Sequence, residues 1–429
     1  MISYFFPPRG GSGVQRAFKF AKYLPEFGWE PIILTVSNLE KKELDLSLLE
    51  GSAGDMRISR AWSCEPHRFF AGLSKGGAAK NPAHIFGKVK NFLGSCLFIP
   101  DRHIGWFPAA FLRGMRIIKE NKIDVIYSTS DPFTGHLVAY FLKKVSGLPW
   151  IAEFRDPWTQ NAFYRYPFRC RQKIDESLER RFLAAADKVV VTCRALIDSW
   201  MQKYPTLDKT KFIEITNGFD PNDFEGLSRN KPDQDKFSIV FAGRFSSEIN
   251  SSPSFFRALA NLIEEKRKRI KFILVGHAGN EVHDLIRKLS LEGVVELAGY
   301  VSHRRSVEYL LGADLLLLTR NHGDGLNLTY PGKIFEYLAA RKPILALVTE
   351  GATADMIRRM RVGVVVPPDD IQAITEAISS FYGKHENGAS MLDARPNLDQ
   401  FERRNLTRSL AHCLNSAAAV GSEGVEKHG

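Results

Sequence analysis

Residues 314–348 read DLLLLTRNHGDGLNLTYPGKIFEYLAARKPILALV. An apolar run of strand length, Asp314 to Thr319, gives way to a polar loop. A helical pattern then opens at Pro331 and Gly332, with Ile334, Phe335 and Leu338 turned to one face, and Pro343 to Leu347 is a second apolar run. A strand that is apolar at nearly every position is covered on both faces, and two such strands joined through a helix lie parallel. The stretch reads as a βαβ unit.

The same rhythm runs almost from end to end. Strand candidates in the first half are Ile2 to Phe6, Pro31 to Val36, Val125 to Ser128, Trp150 to Phe154, Lys188 to Thr192 and Phe212 to Thr216. In the second half they are Ser238 to Ala242, Lys271 to Val275, Val294 to Ala298, Asp314 to Thr319, Pro343 to Leu347 and Gly363 to Val366. Two such sets predict an α/β chain of two Rossmann-like, doubly wound parallel-sheet domains, which suits a length of 429 residues.

The polar stretch Pro221 to Lys236, PNDFEGLSRNKPDQDK, has no apolar period and is expected to be the hinge, 221–236, between a first domain, 1–220, and a second, 237–398. Residues from about 38 to 122 are too many for a simple connection and predict an inserted region. A helical pattern covers 399–416, and residues 417–429 are expected to be disordered. The chain opens inside a strand pattern, MISYFF, without a signal-peptide profile, so an upstream start is expected.

Lys and Arg exceed Asp and Glu by 59 − 48 = 11, which points to an anionic partner: nucleic acid, phospholipid or a phosphorylated small molecule. The five cysteines are scattered without a C-x-x-C, supporting neither a disulfide framework nor a structural zinc, and fit a reducing cytoplasm. No apolar run approaches the ~18 residues of a membrane span, so any membrane contact is expected to be peripheral.

Three segments suit anion chemistry. PPRGGSGVQR, Pro7 to Arg16, places a glycine-rich turn between a strand and a helix, where N–H groups meet the positive end of the helix dipole. Gly10 and Gly11 serve equally well as a plain tight turn. FAGR, Phe241 to Arg244, ends the first strand of the second half; ligands bind beyond such ends, and an arginine fork matches phosphate oxygens, although an ordinary surface arginine fits there too. In the opening stretch, the helix begun by Pro331 and Gly332 carries Lys333 and Glu336 in its first turns. Its free N–H groups would receive phosphate and Glu336 would accept from sugar hydroxyls, or the segment is an amphipathic helix with a solvated acid.

Asp156 follows a buried strand beside Arg155 and Trp158, where it would orient an acceptor hydroxyl or serve as an ion pair or cap. His103, in IPDRHIGWFP, lines an acceptor side or makes a structural loop contact. Asp233-Gln234-Asp235 is formally D-x-D but lies in the expected hinge, and no histidines show H-x-x-x-H spacing, so no metal site is expected. Residues 69–116 mix aromatic and basic side chains, and Arg165, Arg169, Arg171, Lys173, Arg180 and Arg181 follow; these suit an anionic membrane surface or a buried insertion with solvated bases. Neither a groove reader nor a stacking platform for nucleic acid is present.

Taken in order, FPPRGGSG, the turn TNGFD (Thr216 to Asp220), FAGRFSSE, ILVGHAG, LAGYVSH and PGKIFEYLAARKPILAL resemble the family 4 glycosyltransferases of GT-B architecture, from residue 4 to about 416. DVIYSTSDPFTGHLVAYFLKK and WIAEFRDPW resemble bacterial members that build cell-surface polysaccharide. The resemblance implies a retaining enzyme without a cofactor, whose two domains face a central cleft. The second domain would hold a nucleotide-diphosphate sugar, the first would admit a glycan or polyprenyl-linked acceptor, and the 399–416 helix would return to the first domain. Arg244 matches the arginine that contacts the donor phosphates, Pro331 and Gly332 the loop that receives the diphosphate, and Glu336 the ribose-binding glutamate. Tyr300 and Val301 lie where the base is contacted, and Gly10 and Gly11 face the donor.

Three departures stand out. The first acid of the family's glutamate pair falls on Leu328, leaving Asp324 or Asn327 as substitutes. The lysine usual after Arg244 is missing from FSSEINSSP, leaving Lys333 as second cation. The first domain's histidine motif is absent, with Asp156 at the comparable strand end. A nucleotide-sugar epimerase and a noncatalytic glycan-binding subunit share the architecture, and the sequence does not specify an oligomeric state.

Overall fold

Ile2 pairs with Leu34 on one side and Ser128 on the other. It thereby joins two parallel strands, β1 (Ile32–Val36) and β2 (Arg57–Ala61), to four more: β3 (Ile126–Ser130), β4 (Trp150–Phe154), β5 (Lys188–Val191) and β6 (Phe212–Glu214). The computed structural model describes residues 1–10, 12–38, 56–64, 98–161, 164, 166, 168–229, 231, 233, 235–246, 252–320, 323, 325–392, 394 and 396–425.

The expected strand Ile2 to Phe6 is reduced to the bridge at Ile2. Pro7 and Pro8 have no N–H to give a ladder, and the chain bends away before them. β2, RISRA, was not expected, because a polar strand, paired on one side among the described residues, carries no apolar run. Its Arg60 donates to the Pro7 carbonyl at 2.7 Å and to Val36 at 3.2 Å, fixing the turn after Ile2. A helix, Phe107–Glu120, also lies within 38–122 and packs on β1 and β2, so that span is not one insertion; its residues 39–55 and 65–97 lie outside the described residues.

The chain divides into two units, residues 1–216 with 404–429 and residues 217–403. The last helix, Arg403–Val425, packs with the first unit: Leu406, Leu410, Leu414 and Ala417 recur at helical spacing and bury against Phe20, Tyr127, Ile151, Val190 and Ile215. The helix continues to Val425 instead of ending in disorder at 417, since Ala417 belongs to that buried stripe and alanine favours the helix.

In the second unit side chains alternate between two cores. Ile239 and Phe241 of β7 (Phe237–Ala242) and Phe272 and Leu274 of β8 (Ile270–Val275) face one; Val240, Ala242, Ile273 and Val275 face the other. That period of two is what burial on both faces requires. With β9 (Val295–Gly299), β10 (Leu315–Thr319), β11 (Ile344–Leu347) and β12 (Gly363–Val366) they form a parallel sheet ordered β12-β11-β10-β7-β8-β9. This is the Rossmann order, and it reverses between β7 and β10, where a ligand crevice is expected at the carboxyl ends.

Residues 221–236 are not a free hinge. Phe219, Phe224 and Leu227 pack on the second core, and Lys231 pairs with Asp314 at 2.9 Å. The anchors lack a period because the chain is coiled there in a short 3-10 turn, Pro221–Asp223. Among the described residues no helix is long and apolar enough to cross a membrane.

Candidate active site

β7, β8 and β9 run out into glycines of positive φ: Gly243 (127°), Gly276 (128°) and Gly299 (70°). Gly243 N–H donates to Val275 at 2.8 Å and Gly276 N–H to Gly299 at 2.7 Å, continuing the ladder past the strand ends. A Cβ on Gly276 would stand 2.2 Å from the Gly243 carbonyl oxygen, backbone against backbone, so no larger residue fits. Beyond this bare edge Arg244 is exposed.

The helix Lys333–Ala340 follows β10, on the other side of the switch point. Its N-cap, Gly332, has no side chain with which to cap it, whereas Ser302 and Asp370 cap the helices His303–Gly312 and Ile371–Glu386 through Arg305 N–H and Ala373 N–H. The Lys333 side chain is partly exposed, yet its Nζ is buried, lying 3.7 Å from the Phe241 ring centroid and 3.1 Å from where a Gly243 Cβ would be. Burial pushes this amine down to about 7; Glu336 pulls it up and Arg320 adds to the lowering. Arg320 is itself committed to the loop, donating to Leu326 O at 2.8 Å and to both Thr329 O and Thr329 Oγ1 at 2.5 Å.

Glu336 Oε1 lies 3.1 Å from His303 Nε2 at the start of the neighbouring helix. Two residues before that helix's cap, Tyr300 is 90% exposed, while Val301 rests against the core. Asn327 is exposed and backed by Gly351, whose φ of 138° and missing side chain leave it room: a Cβ there would stand 2.6 Å from Asn327 Cβ. Asp324 lies outside the described residues. Thus the Lys333 amine meets the strand edge at Gly243, next in sequence to Arg244, and Glu336 pairs with His303 at the start of the helix that follows β9. Sequence reading missed Tyr337, His303 and Gly276; the shared pattern FAG, LVG and LAG at residues 241–243, 274–276 and 297–299 was the available signal for the last.

In the first unit the expected acceptor residues prove mostly structural. Trp158 is 1% exposed and stacks on Phe133 at 4.3 Å, so it is a core side chain and presents no face to an acceptor. His103 is buried with its ring 4.4 Å from Tyr4. Arg155 is a strut: its guanidinium donates to the carbonyls of Ser130, Gly13 and Asp131 and pairs with the Asp131 carboxylate at 2.8 Å, tying the glycine-rich turn to the end of β3. Asp156 is exposed at the end of β4, Gly10 is half-buried, and Gly11 lies outside the described residues. Beneath the turn, Arg16 pairs with Glu153 at 2.8 Å, fully inside. Arg171, counted with the surface bases, is instead buried against Asp175. Asp233 and Asp235 are described and Gln234 is not; among the described residues no three His, Cys, Asp or Glu gather as a metal site.

The matches to known proteins fall on these same elements. Residues 13–223 match Glycosyltransferase Family 4, and residues 236–384 match Glycosyl transferases group 1. The chain belongs to the family 4, group 1 glycosyltransferases. The 2-deoxystreptamine N-acetyl-D-glucosaminyltransferase of Niallia circulans is 23% identical to this glycosyltransferase over 249 residues, 56% of this chain and 60% of that protein, so the match spans about three fifths of the relative. HepE of Anabaena, solved with UDP and glucose, is similar at TM-score 0.62 and 15% identity over 97% of this chain and 98% of its own. The apo lipopolysaccharide outer core galactosyltransferase WaaB gives TM-score 0.62 and 13% identity over 97% and 99%. At such identities the likeness is one of fold, the two-Rossmann GT-B class.

Proposed function

We propose that this glycosyltransferase moves a sugar, with retention, from a nucleotide-diphosphate donor to a glycan or polyprenyl-linked acceptor during cell-surface polysaccharide synthesis on the cytoplasmic side. The observation that carries the reading is the meeting of the Lys333 amine with the Gly243-Arg244 edge at the switch point of the second sheet, beside an uncapped helix start. Breaking the anomeric C–O bond puts negative charge on the departing diphosphate, and fixed cations and N–H groups are needed where it grows. Loss of one such donor costs about 3 kcal/mol, or a hundredfold in rate.

In this reading Arg244, Lys333 and the Pro331-Gly332 helix start hold the diphosphate. Glu336, aligned by His303, takes the ribose; Tyr300 offers its exposed ring to the base; and Asn327, or Asp324, replaces the missing first acid at the sugar. Asp156 orients the acceptor hydroxyl. No metal takes part. The HepE complex holds UDP and glucose and WaaB acts on lipopolysaccharide, which supports the choice of donor class and product.

An anionic membrane surface is the proposed second partner. The helices Phe107–Glu120, Thr134–Ser146 and Arg169–Ala185 pack in succession. They expose Leu112, Phe141, Val145 and Ile174 among the exposed bases Arg116, Lys144, Lys173 and Arg180, while Asp175 and Glu179 are buried. Bases mixed with apolar groups outward outnumber the exposed acid, Glu120, and suit an anionic headgroup layer.

Calorimetry against a panel of nucleotide sugars, followed by NMR of the anomeric configuration of the product, tests the reading. Binding of none would refute it, and isomerised sugar from donor incubated alone would make the protein an epimerase.

A further inference from the structure

The Lys333 amine is a buried donor with no hydrogen-bond partner among the described residues. An ammonium carries three N–H donors and is disfavoured where nothing receives them. The Phe241 ring beneath it gives a cation–π contact only. Among the described residues, each charged group acting on it is engaged elsewhere or repels it. Glu336, one turn along its own helix, favours its charge but is shared with His303 from the next helix. Arg320, from the loop after β10, opposes its charge and is held by Leu326 and Thr329. Arg244, next to Gly243 on the β7 edge, is a further cation. Among the described residues the site therefore has positive groups, a helix start without a side-chain cap and a buried Lys333 amine lacking acceptors, which an anion would supply.

Resting on the donor reading above, we propose that a nucleoside diphosphate supplies the acceptors that Lys333 lacks, and that its binding draws a proton from solvent onto the Lys333 amine. The balance is one R–NH2 and one H+ giving R–NH3+, with no bond to the ligand made or broken. The second cation of the site thus exists in full only when the diphosphate is present. Free enzyme is spared a buried, uncompensated charge, and the leaving group meets a cation whose acceptors are its own oxygens. The amine's low resting affinity for protons, set first by burial, agrees with this order of events.

The test is calorimetric titration of the full chain with UDP, and with GDP and ADP in parallel, in buffers of different ionisation enthalpy. At pH 8 the free diphosphate is fully ionised, so proton uptake reports the protein. Uptake approaching one proton per nucleotide is expected at pH 8, and less at pH 7, where part of the amine is already protonated and the nucleotide gives up proton of its own. Lys333→Met should abolish the uptake and weaken binding by about tenfold or more. Lys333→Arg, charged throughout, should abolish the uptake while retaining more of the affinity. Tight nucleotide binding by the native enzyme without uptake at pH 8 would overturn this proposal and leave the glycosyltransferase reading standing. Failure to bind any of the three nucleotides would remove both.

Discussion

The hydroxyl oxygen of Tyr337 accepts the Ala242 N–H at 3.0 Å and donates to the Leu317 carbonyl at 3.1 Å, so one buried side chain fastens the helix Lys333–Ala340 to both strands flanking the switch point. The position of Lys333 over Phe241 depends on that fastening. Tyr337→Phe strips two buried backbone groups of a partner, which costs about 1–3 kcal/mol. Urea unfolding should show the lower midpoint, and nucleoside-diphosphate affinity should fall with it. A variant as stable as the native protein would mean that the helix is held in place by packing alone.

Gly276→Ala tests the strand-end geometry directly. Its Cβ would press into the Gly243 carbonyl at 2.2 Å while the backbone kept a φ of 128°. Strain of about 1–3 kcal/mol is expected at such a residue, relieved by moving Gly243 and hence Arg244. Nucleotide binding should drop by about tenfold or more, with circular dichroism nearly unchanged. Native affinity in the variant would show that the edge does not shape the site.

Acid should weaken the first unit in two windows. Burial lowers His136, whose Nδ1 lies 2.8 Å from Ser128 Oγ, from 6.5 to about 3. The unfolded chain takes up this proton below about 6.5, so the contribution is complete above that pH and drains away as the pH falls toward 3. For Glu153, burial works upward, but the charge and hydrogen bond of Arg16, with Thr129 and Tyr127, outweigh it and hold the carboxyl below 4.5. That contribution is present above 4.5 and is lost as the pH drops through the lower folded value. Calorimetric unfolding between pH 8 and 3 should decline from about 6.5 downward. His136→Phe should flatten the upper window, whereas Glu153→Gln, which leaves Arg16 buried without a counter-charge, should cost about 3–5 kcal/mol at pH 7.

What the sequence disclosed follows from what each segment had to bury. Strands covered on both faces, such as Ser238 to Ala242 or Asp314 to Thr319, carry unbroken apolar runs and are legible at once. Among the described residues β2 is an edge strand, and its Arg57, Ser59 and Arg60 give no apolar pattern to mark it. Trp158 stood beside Arg155 and Asp156 and so read as part of a polar site, but one turn later the chain folds its ring onto Phe133. Lys333 could be nominated only as the nearest cation in sequence. That its amine reaches Gly243, ninety positions earlier, is a product of the β7–β10 adjacency, which spacing along the chain does not encode.

On the proposed reading, Arg244→Ala removes a charge-assisted donor at the leaving group and should reduce glycosyl transfer at least about tenfold and weaken nucleoside-diphosphate binding. Unchanged kinetics would take Arg244 out of the site. Chelation with EDTA should leave the rate intact, because the proposed cations are side chains; a rate abolished by chelation and restored by magnesium or manganese would overturn the metal-free reading.

The outward face of the three first-unit helices makes the most remote prediction. Leu112, Phe141 and Val145 would enter the interfacial layer while Arg116, Lys144 and Lys173 meet headgroup phosphates, each base contributing about 1 kcal/mol near an anionic surface. The protein should therefore sediment with vesicles rich in phosphatidylglycerol, not with pure phosphatidylcholine, and salt should release it. Phe141→Ser should weaken the salt-resistant part of binding, and Lys144→Glu with Lys173→Glu the salt-sensitive part, with nucleotide binding untouched because those residues lie outside the unit 217–403, where the donor is proposed to bind. Equal sedimentation with both kinds of vesicle would assign the bases to solvent alone.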